Sequence, residues 1–295
     1  MTGNTFTATA GAARLLVDGP LGEGWSDLHV RLLTVRRARL TPQWTYADTR
    51  SAFWRLYVND RSGAVVESGG KRHALRPWRA YLVPAWVRFR GLCQSDRIMH
   101  HYAHFDLVGV SATLVQEAFP APLAVRGGPA AMAVVRQWAR EMTDAPQPTS
   151  GVPALCLTKA AIYLCLRNAI EGLPHTRRER LTLYLHGRRP VLPAIEHVER
   201  NFDRPPRNVD LAALCGVGPD HFVRLFKRCV GQTPARYGLD RRLAAAALRL
   251  VLTDDSIEQI AADTGFADRF HFSRAFATGI GTPPAAYRRA GRHNQ

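Results

Sequence analysis

The chain is short of acid. Its 295 residues hold 24 Asp and Glu against 40 Lys and Arg, a formal charge of +16. That balance argues against cationic partners and for polyanions, nucleic acid first and a membrane surface second. Cysteine is scarce as well: Cys93, Cys156, Cys165, Cys215 and Cys229 are odd in number and form no C-x-x-C pair. A disulfide framework and a cysteine-based zinc site are therefore not suggested, and buried, reduced thiols are the expectation. No run reaches the ~18 apolar residues that a membrane span needs. The N-terminus, rich in Thr, Ala and Gly, lacks a charged segment followed by a long apolar core. It does not read as a signal peptide, and a cytoplasmic protein without a membrane partner is expected.

Apolar material is not lacking. A hydrophobic fraction of 46% supports packed cores, and a chain this long is expected to divide into two domains. The basic excess is spread along it. Residues 1–173 hold 20 Lys and Arg against 12 Asp and Glu, and residues 174–295 repeat those numbers in a shorter stretch. Charge alone thus locates no binding face.

The first third reads as β-structure. Short aromatic or β-branched runs at 28–35, 52–58, 64–68, 79–85, 87–93 and 98–107 are separated by Gly, Pro, Asp and Asn, a spacing that suggests a barrel or sandwich. The period then becomes helical. Helices are predicted at 129–142 and 153–173, the second apolar on more than one face, which predicts burial together with pairing to a second copy. Residues 174–190, arginine-rich and flanked by prolines, read as a connection. Helices are predicted beyond it at 192–202, 210–216 (Asp210 placed to cap), 219–231, 234–252, 256–265 (opening on Ser256), 268–281 and 283–290.

One stretch occurs twice. "CGVGPDHFVRLFKR" (215–228) is echoed by "GFADRFHFSRAF" (265–276). Phe222, Arg224, Phe226, Gly231, Pro234 and Tyr237 recur 50 residues on as Phe272, Arg274, Phe276, Gly281, Pro284 and Tyr287, and Leu211-Ala212 recur 49 on as Ile260-Ala261. Each copy reads as a short helix, a turn, a second helix, a Gly stop and a Pro start: helix-turn-helix anatomy, twice. The phenylalanines, four apart, are core anchors. Arg224 and Arg274 lie roughly 160–200° round from them at helical pitch. They point outward with Asp220, Val223, Lys227 and Arg228 in the first copy and with Arg269, Phe270 and Ser273 in the second. The helix 234–252 spans about 28 Å at 1.5 Å per residue. That length suits holding two recognition helices in successive major grooves, ~34 Å apart on one side of a duplex.

These motifs resemble the DNA-binding domain of the AraC/XylS family of transcription regulators. The likeness runs over "LAALCGVGPDHFVRLFKRCVGQTPARY", the link "RRLAAAALRLVLTDDSIEQIAADTGF" and "RFHFSRAFATGIGTPPAAYRR", about a third of the chain. It implies base-facing roles for Asp220, Val223, Arg224, Arg269, Phe270, Ser273 and Arg274, and backbone contacts near Lys227 and the helix starts; Arg228, outward on the same helix, is counted with the DNA-binding residues. Gly218 stands where the family commonly caps with Ser, and Ala277 where it often carries Lys. The same resemblance implies an N-terminal effector-binding, dimerising, cupin-like barrel, carried by "GGKRHALRPWRAYLVPAW" and "MHHYAHFDL", with Trp78-Arg79 in place of the usual Gly-Asp turn. The whole is then an α+β protein. Residues 1–174 form a sensor (β-barrel about 25–110, helices about 129–173), 175–191 a linker, and 192–295 an all-α domain of two helix-turn-helix units joined by a long helix. Double-stranded DNA, RNA polymerase, a second copy of the chain and a small-molecule effector are the implied partners.

Trp54, Trp86, Arg88, His100, Tyr102 and His104 are the candidate effector-binding residues, since aromatic platforms beside Arg or His suit a sugar or small acid. His100, His101 and His104 invite a metal, but only His100 and His104 share a strand face, and no cupin-type H-x-H with a following Glu is present. No metal, cofactor or catalytic set is predicted. A cupin enzyme with a DNA-binding appendage and a regulator whose barrel only dimerises are the alternatives.

Overall fold

A computed structural model describes residues 28–144, 151–205 and 207–292, so the readings of the N-terminus fall outside the described residues. The strands are β1 (His29–Leu40), β2 (Tyr46–Arg50), β3 (Trp54–Asn59), β4 (Ala64–Ser68), β5 (Lys71–Leu75), β6 (Tyr81–Val83), β7 (Arg88–Cys93) and β8 (Ile98–Val108). After helix α1 (Ala112–Ala118) comes β9 (Leu123–Ala124). They form two antiparallel sheets, β1-β8-β3-β6-β9 and β2-β7-β4-β5. The single barrel expected over 25–110 is corrected to two sheets that share no ladder among the described strands. β5 ends the second sheet with exposed Lys71 and Arg72, charges that discourage further pairing at an edge.

One core lies between the sheets, built from Leu40, Tyr57, Ile98 and Tyr102 of the first and Val66, Leu75 and Phe89 of the second. The other face of the first sheet (Val30, Trp54, Leu56, Phe105) packs under helices α1, α2 (Pro129–Asp144), α3 (Val152–Glu171) and α4 (His175–Gly187). Strand β3 is consequently buried on both faces. The stretch expected as a connection is largely α4 and a 3₁₀ turn, Arg189–Val191. Arg177, Arg180 and Arg189 face solvent while Leu181 and Arg188 are buried, Arg188 donating to Gly109 O at 2.8 Å, and the Tyr184 hydroxyl accepts from Ser111 N at 3.2 Å. Cys93, Cys165 and Cys229 are buried; Cys156 is exposed, contrary to the expectation for thiols, because that side of α3 is uncovered.

Seven helices follow: α5 (Leu192–Arg200), α6 (Asn208–Leu214), α7 (Pro219–Val230), α8 (Pro234–Leu252), α9 (Ile257–Asp263), α10 (Arg269–Ile280) and α11 (Pro284–Arg292). Phe222 and Phe226 are fully buried with ring centroids 5.6 Å apart, and Phe272 and Phe276 repeat this at 5.4 Å. α7 and α10 both stop on a left-handed glycine, Gly231 at φ +76° and Gly281 at φ +85°, a conformation that costs a residue with a side chain. Their starts differ. Gly218 offers α7 no side-chain cap, whereas the Asp268 carboxylate accepts from Phe270 N and His271 N, both at 2.7 Å. Asp210, expected as a cap, lies inside the first turn of α6, which begins earlier; it pairs with Arg207 at 3.0 Å.

Candidate nucleic-acid interface and ligand cavity

The duplicated stretches become α7 and α10, each the second helix of its unit, joined by α8, whose bounds match those read from the sequence. Asp220, Arg224, Lys227 and Arg228 are exposed on α7 and Val223 is half-buried. On α10, Arg269, Phe270 and Arg274 are exposed and Ser273 is half-buried. Phe270 is 65% exposed, and the Arg269 guanidinium lies over its ring at 4.7 Å. Positions 220, 223, 224 and 227 share one helical face, and 270, 273, 274 and 277 share the equivalent one. Arg224 and Arg274 are thus equivalent, outward cations. Arg228 departs from this grouping: with Ser111, Glu117 and Tyr184 it also borders a groove between the end of α7 and helices α1 and α4. His221 and His271 are exposed at matched positions and were missed by the sequence reading, although the 50-residue repeat contains them.

A cavity open to solvent lies where the strands meet the last helices. His100, Tyr102 and His104 of β8 line it together with Phe53, Arg55 and Tyr57. Val251 and Leu252 at the end of α8 and Tyr287 of α11 close it. Trp54, Trp86 and Arg88 are not among the residues that line this cavity. Trp54 is one residue out of phase and stacks on Phe105 at 5.9 Å, on the helix side of the sheet. Trp86 is buried in that same core, in left-handed backbone at φ +65°, its N bonded to Ser51 O at 2.6 Å. Arg88 is exposed and reaches Gly281 instead. Burial drives His100 down to about 3 and holds His104 well below its ordinary value, with Arg55 adding to the effect on His104. Both rings are therefore neutral near pH 7. His101 turns away from the cavity and stacks on Trp78 at 6.3 Å. Among the described residues no three His, Cys, Asp or Glu side chains converge as metal ligands.

The strands grip both units. Arg31 of β1 bridges Asp106 of β8 at 2.9 Å and Glu199 of α5 at 3.1 Å. Arg241 of α8 bridges the same two carboxylates, reaching Glu199 at 3.0 Å, and the Tyr237 hydroxyl donates to Glu199 at 2.6 Å. Burial and then the neighbouring Glu199 push the Asp106 carboxyl up to about 7 against the pull of Arg31. At the second unit Arg50 donates to Gly279 O at 3.3 Å, and the Tyr287 hydroxyl lies 3.4 Å from Ser51 Oγ.

A family profile described as a helix-turn-helix domain matches residues 211–290. The MmsAB operon regulatory protein of Pseudomonas aeruginosa is 33% identical over 85 residues, 29% of this chain and 28% of that one. The transcriptional activator NphR of a Rhodococcus species is 25% identical over 283 residues, 91% of this chain and 79% of that one. A solved transcriptional regulator of Chromobacterium violaceum, described among AraC-type DNA-binding domain-containing proteins, is 32% identical over 34% of this chain and 89% of that one, with a TM-score of 0.33. The chain spans less than half the length of the first curated relatives it matches.

Proposed function

The chain belongs to the AraC/XylS family of transcription regulators, proteins that bind DNA rather than enzymes, and from that premise we propose how it binds and responds. α7 and α10 enter successive major grooves on one face of a duplex, with α8 as the rigid spacer between them. The observation that carries this reading is the matched exposure of Arg224 and Arg274 at equivalent positions of two helices that a 19-residue helix joins. Arginine reads guanine by bidentate bonds to O6 and N7, each worth about 1–3 kcal/mol of discrimination. Phe270 offers an apolar surface to thymine methyls. Lys227, Arg228 and the helix starts contact phosphates. Because α7 and α10 carry different side chains, the favoured site is asymmetric.

The remaining parts follow from the same reading. Residues 1–174 act as a cupin-like sensor whose effector occupies the cavity, residues 175–191 connect it, and residues 192–295 bind DNA. The cavity is walled by strands and by α8 and α11 together, which supports a direct route from effector to the second helix-turn-helix unit. Exposed Val152, Leu155 and Tyr163 along α3 support a homodimer; its place in the cytoplasm and its work with RNA polymerase are part of the same proposal.

Selection of bound duplexes from a random library tests the proposal. Enriched sites are expected to hold two different conserved elements one helical turn apart. Affinity should fall on the order of 10³-fold or more between 50 and 200 mM salt, as phosphate contacts release counterions. A library that emerges without enrichment contradicts it.

A further inference from the structure

Arg55 differs from the interior arginines that carboxylates hold. Arg31 and Arg241 share Asp106 and Glu199, and the half-buried Arg249 is matched by Asp255 and Asp263. Arg55 is only 8% exposed, yet among the described residues no carboxylate meets it. Its guanidinium lies over the Phe53 ring at 4.5 Å and the Phe89 ring at 4.9 Å. Rings of this kind satisfy the face of a guanidinium but leave its N–H edge without acceptors. Nη1 is buried and has no hydrogen-bond partner, and neither has Nδ1 of His104, which faces Arg55 across the β3–β8 ladder. Both side chains line the cavity, and among the described residues no Asp or Glu is found in its walls.

We infer that the cavity takes a small organic anion, a carboxylate carried on a flat or chain-like apolar body, with Arg55 as its charge partner. The inference rests on the reading of the cavity as the effector site. An unpaired charge held out of water is costly, and a bound carboxylate removes that cost through charge-assisted, bidentate hydrogen bonds. A neutral sugar supplies acceptors but leaves the charge uncompensated. His104, kept neutral by burial, offers the carboxylate one further hydrogen bond. The rest of the wall suits the apolar body: Trp44, Tyr57, Tyr102, Tyr287, Val251 and Leu252. Since the last three belong to the helices that carry the second DNA-binding unit, the anion bridges the strands to that unit when bound.

Titration calorimetry of the full chain at pH 7.5 compares benzoate and hexanoate with their uncharged analogues benzamide and hexanamide. At least one carboxylate is expected to bind ten or more times tighter than its amide. Arg55→Gln should remove that preference and bring the acid down to the level of the amide. It should also raise the melting midpoint of the ligand-free protein, because an unpaired buried charge is gone; a purely structural arginine would lower it. Amides that bind as well as the acids, or no binding by either acid at millimolar concentration, overturn the inference. Should Arg55→Gln fail to fold, the comparison of acid with amide on the parent chain decides alone. Retention of selected duplex DNA by the parent is measured beside it. DNA binding without a carboxylate preference defeats only this inference, whereas loss of DNA binding defeats the regulator reading.

Discussion

Asp240 lies on α8 with 4% of its surface exposed, and its carboxyl is pushed up to about 6, chiefly by burial, while Arg236 at 3.0 Å pulls the other way. A carboxyl with a raised folded-state pKa binds more protons folded than unfolded. Its ionisation therefore removes stability as pH rises from about 4 to about 6. Asp240→Asn is expected to stabilise the chain at pH 8 by up to about 3 kcal/mol and to change little at pH 4, as read from melting curves at both values. Equal effects at the two pH values would contradict the assignment. Gly265 makes a different single-residue prediction. Its backbone is left-handed at φ +76°, and an added Cβ would lie 1.9 Å from the carbonyl oxygen of Asp203, a main-chain atom that cannot swing aside. Gly265→Ala should displace the 201–205 loop from the second helix-turn-helix unit and lower the melting midpoint sharply. Replacing an exposed glycine with open surroundings, Gly216, should do much less despite its similar φ of +67°.

At the scale of elements, the two recognition helices are duplicates with unequal starts. Gly218→Ser adds the cap that α7 lacks and should raise stability by about 0.3 kcal/mol, whereas Asp268→Ala strips α10 of its cap and should lower it by more than the first change gains. The duplication also explains what could be read in advance. Caps, glycine stops and Phe-x-x-x-Phe anchors are local signals, so the boundaries of α8 and the outward faces of α7 and α10 followed from sequence. The polar strands β2 (YADTR) and β5 (KRHAL) were not legible, because edge strands carry little apolar alternation. Helix α4 was hidden by its arginines and by Pro174, although its buried anchor Leu181 is visible once the fold is known. The cavity was legible only in part. β8 shows it through His100, Tyr102 and His104, but β3 is buried on both faces, so nothing in its composition distinguishes the Trp54 side from the Arg55 side. The walls supplied by Leu252 and Tyr287 lie some two hundred residues away in sequence, beyond the reach of any local pattern.

The whole molecule is held as one piece by contacts between strands and DNA-binding helices. Asp106 and Glu199 are each ion-paired with two arginines, one on a strand and one on α8, so the cluster fastens β1 and β8 to α5 and α8. Arg241→Met removes one of two arginines and leaves both buried carboxylates to Arg31 alone. It should cost about 3–5 kcal/mol in denaturant unfolding, far more than loss of an exposed pair such as Arg167–Glu171. A loss no larger than that of the exposed pair would mean that the cluster does not bind the two parts together. The same integrity underlies the central claim, because two prongs can read one duplex only if their spacing is fixed. Binding-site selection on Arg224→Ala and on Arg274→Ala tests this most directly. Each variant is expected to relax preference at one or two base pairs, and the two sets should lie about 10 base pairs apart on one side of the helix. Sites identical to those of the parent, or relaxation by both variants at the same base pairs, would contradict the account.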